Sequence, residues 1–355
     1  MTRRSSAAPD GGDGNVNAYR PLRLTVVAIG VFAVLFLIGG STGWWTPADN
    51  EPPIGEVSRW CERVDGGLFR EPINTLGNLG FVVSGLAMFV VLARETTANR
   101  TAGPTGNRFT GNQPIALTYA AATVFLGPGS MLMHGSHTFF GAWIDNVSMV
   151  AYILIPWMVN VAVLRRSSDR GLLTAYGLVL GAFATSYWFF GGDLGIGLDL
   201  FGLSIALWMV SEALFRFWSP AARVWSGLIG FGVAMVFGIT PVEMFNAVGD
   251  HWWVVLFWVP GLLADRAPMT RRTYTPWFWA GTTSFLLAFA IWTTGTADHS
   301  WCRPDGLVQA HAVWHLLTAF STWCFFQFLR TERRIGDGRP VSGLASTGRF
   351  TPPHQ

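Results

Sequence analysis

His311 and His315 stand four residues apart. On a helix that spacing puts both imidazoles on one face, one turn apart, where together they can hold one metal ion. His134, at the end of another apolar segment, can supply a third nitrogen, and three histidines with one open position is the pattern of a hydrolytic zinc. Ser130 precedes His134 by four residues and shares its face, so its hydroxyl could stabilise an oxyanion or bond a metal-held water. Asp145 is a carboxylate at the end of an apolar segment, a place where an acid needs a partner or a role. Two roles are open to it: general base toward water, or orienter of a histidine. Read singly, these groups are interfacial histidines and a packing serine; read together, they point to a hydrolytic metal site. His137 is a rival ligand, but it falls in the short turn 135–141. His251 and His299 read as surface residues, and His354 lies in the C-terminal tail.

The elements that must position these groups are apolar. Half of the 355 residues are hydrophobic and 13% are charged, against about 25% charged in soluble domains. This excludes a disordered chain, a nucleic-acid-binding domain and an ordinary cytosolic enzyme. Apolar blocks of about 20 residues read as membrane helices. They fall at 22–40, 73–93, 115–135, 142–164, 172–191, 197–215, 224–241, 247–264, 277–296 and 308–329. The fold expected is an all-α, polytopic membrane helix bundle of about ten transmembrane helices. The 247–264 block is the weakest, because Asp250, His251 and Pro260 interrupt it. The 22–40 block is read as a retained helix, since the following STGWW offers no Ala-x-Ala cleavage site. The domain reading is a disordered tail over 1–20, an N-terminal helix over 21–41, a membrane domain over 58–330 and a second disordered tail over 331–355.

Arginine sets the orientation. No Lys occurs, and all 24 basic residues are Arg, which fits codon bias in a GC-rich bacterial genome. With ten helices and both tails inside, 20 Arg fall on the inner side. Only Arg59, Arg63, Arg70 and Arg303 fall outside. A missed helix would invert every later loop and destroy this bias. Ser130, His134, Asp145 and the His311/His315 pair then lie at the outer face, and the location expected is a bacterial plasma membrane. Cys61 and Cys302 both fall in outer loops, a setting that permits a disulfide. Cys324 reads as an apolar core residue.

These strings together resemble the alkaline ceramidase family, within the CREST group of membrane hydrolases. The resemblance rests on Trp60-Cys61-Glu62, on Glu71 with Asn74-Thr75-Leu76-Gly77-Asn78, on Gly129-Ser130-Met131-Leu132-Met133-His134 with Asp145, and on His311-Ala312-Val313-Trp314-His315. It implies a seven-helix core with zinc on His134, His311 and His315, and Ser130 and Asp145 at the metal. It implies hydrolysis of the amide bond of ceramide. It also implies calcium, with the Trp60 carbonyl, Glu62, Asp65 and Glu71 as oxygen donors. That site is weakened by Arg59, which stands where the family has Asp. The chain departs from the family by an additional N-terminal helix and by two helices inserted between those of Asp145 and His311.

The function expected is a zinc-dependent intramembrane amidase acting on the N-acyl bond of ceramide or a similar membrane lipid. One alternative is a CREST-type hydrolase acting on another acyl ester or amide. Another is a receptor or transporter that keeps a structural metal. Nothing in the sequence speaks to oligomeric state.

Overall fold

The computed structural model describes residues 17–102 and 107–335; the expectations for the two tails at 1–16 and 336–355 lie outside them. The long helices are α1 (Arg20–Thr42), α2 (Pro72–Gly77) leading into α3 (Leu79–Ala102), α4 (Pro114–Ser136), α5 (Phe139–Arg165) and α6 (Asp169–Phe190). They are followed by α7 (Leu200–Arg216) and the short helices α8 (Pro220–Trp225), α9 (Leu228–Val236) and α10 (Pro241–Asn246). A 3₁₀ segment, Trp252–Trp258, runs into α11 (Val259–Leu263), and α12 (Trp277–Trp292) and α13 (Ala310–Leu329) complete the bundle. The all-α membrane architecture is therefore present. A two-stranded ribbon, β1 (Thr270–Arg271) with β2 (Arg333–Arg334), is the sheet found among the described residues.

Among the described residues, six helices are long and apolar enough to cross a membrane: α1, α2 with α3, α4, α5, α6 and α13. The other four expected blocks are shorter or broken. Block 197–215 becomes α7, with 17 residues, and 277–296 becomes α12, with 16. Block 224–241 stops at Val236, where Gly238 takes a φ of 86° that L side chains rarely adopt. Thr240 then caps a new helix through a capping box with Glu243. Block 247–264 winds as 3₁₀ before Pro260 and gains only one short α turn. These two broken segments run out and back against each other. Trp258 donates its Nε1–H to the Val224 carbonyl, and Arg223 its Nε–H to that of Gly261. Phe231 packs edge-on against Phe257.

Helix α5 is the axis of the bundle. Of its apolar window 89% is buried, against 11% for α1 and α6 on the periphery. It packs on α4, α6 and α7, while α13 packs on α12 and α3. Glycines let the helices close. A Cβ on Gly129 would lie 2.6 Å from Ser148 Oγ on α5, and one on Gly77 would lie 3.0 Å from the Cα of Ala312 on α13.

At the end of the bundle far from the histidines, Arg272 is fully buried. It pairs with Glu212 and Glu332 and donates to Asn160 Oδ1. A buried charge of this kind needs such partners to be tolerated. Glu332 and β2 thereby tie Thr331–Ile335 to the bundle, although the sequence reading assigns those residues to the tail. Cys324 is buried in the core.

Candidate functional site

Three imidazoles meet at one end of the bundle. His134, on the last turn of α4, places its Nε2 3.1 Å from Nε2 of His311 and 3.4 Å from Nε2 of His315, both on the first turns of α13. All three residues are buried. Glu71, immediately before α2, accepts from His134 Nδ1 at 2.7 Å. The proton therefore sits on Nδ1, and Nε2 is left as a bare lone pair. Three ring nitrogens facing one another this closely need a shared positive centre. A tetrahedral zinc with nitrogen ligands at about 2.0–2.1 Å would hold them about 3.3 Å apart, and the donor set fits that ion. Among the described residues, His134, His311 and His315 form the group of three or more ligating side chains that could hold a metal.

Ser130 lies one turn before His134 on α4, and it shares a cavity wall with Asp145 on α5. The contact at Gly129 makes this meeting feasible, since any side chain there would push α5 away. Ser148 Oγ donates to the Asp145 carbonyl and fixes the helix locally. Ser130, Asp145 and the three histidines line one cavity of about 840 Å³, within the usual range of about 300–1,000 Å³ for ligand pockets. The rest of its wall is mostly apolar and includes Leu126, Trp208, Phe257 and Phe325. The inserted segments α9 and Trp252–Trp258 supply one side of it.

Sequence reasoning missed the shell around the metal-ligating set. Trp60 stacks on His311 at 4.3 Å between ring centroids. It is held there by the Cys61–Cys302 disulfide, which joins the loop before α2 to the loop before α13. Arg63 and Asp305 pair across the same two loops. His137, expected in an exposed turn, is buried, and its Nε2 lies 2.9 Å from Glu71 Oε1. His251, read as a surface residue, lines the cavity. Glu71 was legible only as an acid before Pro72. Burial works against its charge, yet His134 and His137 beside it hold the carboxyl well below the usual carboxylate range.

The structure lends the calcium expectation no support, because the carboxylate oxygens named for it have other partners. Both oxygens of Glu62 accept backbone N–H groups at the start of α2, from Ile73 at 2.6 Å and Asn74 at 2.8 Å. Burial nonetheless pushes the Glu62 carboxyl up, against those two bonds. Both oxygens of Glu71 are taken by His134, Asn74 and His137. Asp65 accepts from the Gly67 N–H within its own turn. Glu62 supports the start of α2 and Glu71 orients the histidines.

The ceramidase family profile matches residues 58–342. The chain belongs to the ceramidase family. Membership carries the coarse function with it: hydrolysis of an amide bond in a lipid, by a multi-pass membrane protein. The match begins just before Trp60, so helix α1 and the segment that follows it lie outside the matched stretch. No curated protein matches the chain.

Proposed function

We propose that this ceramidase-family chain is a zinc-dependent amidase that cleaves the N-acyl bond of ceramide or a closely similar lipid. One observation carries the reading. The converging nitrogens of His134, His311 and His315 share the wall of a single, mostly apolar cavity with Ser130 and Asp145.

His134, His311 and His315 would hold the ion, with Glu71 keeping His134 in the correct tautomer. When bound, zinc supplies Lewis acidity toward an acyl carbonyl and makes water a nucleophile near neutral pH. Asp145 takes one proton from the attacking water as its oxygen bonds to the acyl carbon. Protonated, Asp145 can donate to Ser130 instead of accepting from it, which frees the Ser130 hydroxyl to stabilise the oxyanion. Asp145 then passes its proton to the amine nitrogen as the C–N bond breaks, giving a fatty acid and a free amine. The apolar wall takes the hydrocarbon and excludes water. The Arg distribution supports a site at the outer face of a bacterial plasma membrane.

The test is to incubate the purified protein with a panel of N-acyl and O-acyl lipids, with and without a zinc chelator. Release of fatty acid from N-acyl sphingoid lipids, lost with chelator and restored by zinc, is the expected result. Cleavage confined to esters, or cleavage indifferent to the chelator, would overturn it.

A further inference from the structure

His137 occupies an unusual backbone position. It closes α4 in the left-handed region at φ 54°, where helices strongly prefer glycine or asparagine. A β-carbon held there strains the backbone. The side chain so placed is completely buried and reaches Glu71 Oε1 at 2.9 Å. Glu71 Oε2 is the oxygen that holds His134 Nδ1. On its other side, His137 Nδ1 lies 3.4 Å from Glu51 Oε2, within ion-pair range but outside hydrogen-bond geometry. The Ala48 N–H donates to the His137 carbonyl at 2.9 Å. Four side chains thus form one file, Glu51, His137, Glu71, His134, running from the loop after α1 to the ring of a metal-ligating histidine. Glu51 and Ala48 both precede the stretch that matches the family.

We propose that His137 is a positioning residue for the metal centre, held by the segment after α1 and itself holding Glu71 in the rotamer that orients His134. The inference rests on the metal-site reading above. Without His137, Oε1 of Glu71 is a buried acceptor with no partner, and the carboxylate is held only through Oε2, by Asn74 and His134, so its orientation toward His134 Nδ1 is loosened. His134 then loses its fixed tautomer, and the three nitrogens lose their shared focus. The loss of such a partner behind a ligand weakens metal binding by about 10–100-fold. The additional N-terminal helix is therefore a working part of the site. Its Phe36 ring packs beside Gly135, two residues before His137.

The test uses the full chain with His137→Asn and Glu51→Ala. Asparagine tolerates the left-handed backbone but is too short to reach Glu71. Glu51→Ala removes the contact to His137 together with the Glu51–Arg59 ion pair, and Arg59→Ala, which removes only that pair, is its control. Three readouts are taken: zinc dissociation constant by chelator competition, the visible absorption spectrum of the cobalt-substituted protein, and the melting temperature of the metal-free protein. Zinc binding weaker by about 10–100-fold in His137→Asn, less in Glu51→Ala, with an altered cobalt spectrum and little change in metal-free melting, is the result expected. Wild-type affinity and spectrum in both variants would overturn the inference. If His137→Asn does not fold, Glu51→Ala decides alone by the same two metal readouts. Failure of the wild-type protein to bind zinc at all would instead overturn the metal-site reading itself.

Discussion

Asp145 is the residue on which the chemistry turns. As general base it moves a proton in each turnover, and losing such a base costs about 10²–10⁴-fold in rate. Asp145→Asn keeps the side chain's shape but cannot take the proton, so the variant should retain zinc while losing hydrolysis to that extent. Zinc content and fatty-acid release measured on the same preparation check it. His311→Ala with His315→Ala should remove the metal altogether, read by elemental analysis. Single residues were legible in the sequence to an uneven degree. The spacing of Ser130, His134, His311 and His315 showed their shared faces because helix period is a local property. Glu71 and Glu62 were visible only as acids near a helix start. Nothing in a sequence says where a carboxylate's two oxygens point, and both were assigned to calcium when they serve helix α2 and two histidines.

Helices must approach within a side chain's width for Ser130 to meet Asp145. Gly129 is a point of close approach between α4 and α5, with Ser148 Oγ and the Ile144 carbonyl where its Cβ would stand. Gly129→Val should overpack this contact and cost about 1–3 kcal/mol. Part of the activity should go with it, because Ser130 is displaced from Asp145 before zinc is lost. Thermal melting and zinc content together check the order of events. The disulfide acts on the same scale. It fastens the loop that carries Trp60 to the loop that leads into His311. Reduction should destabilise the protein by about 2–5 kcal/mol and loosen the Trp60–His311 stack, which melting with and without reductant would measure. Among the elements, continuous helices such as α5 were readable from composition. The break at Gly238 was not, while the weakness of 247–264 showed only in Asp250, His251 and Pro260. Hydropathy records how apolar a stretch is, and these stretches remain apolar through the break.

For the whole molecule, the question is whether the inserted segments 220–264 go out and come back. Arginine bias calls for an even number of passes there, and the broken helices run out and back against each other. Their turn lies at the histidine end: Trp252 Nε1 donates to the Ile196 carbonyl, and the Asp250 carbonyl is 3.9 Å from where a Cβ on Gly197 would stand. Their outer limits lie at the opposite end, where the Arg266 N–H donates to the Leu164 carbonyl. A single cysteine placed at Val248 should therefore label from the same side as one at Leu307, in the loop beside the disulfide. One at Met269 should label from the other side. All three positions are exposed. The native background is low, because Cys61 and Cys302 are joined and Cys324 is buried. With an impermeant thiol reagent on intact cells, positions 248 and 307 should react and 269 should not. Reaction at 269 with protection at 248 and 307 would turn the molecule over and put the metal site on the inner face. Protection at 248 alone would mean that the inserted pair dips into the membrane and turns within it, leaving the cavity wall it forms open to lipid rather than to water.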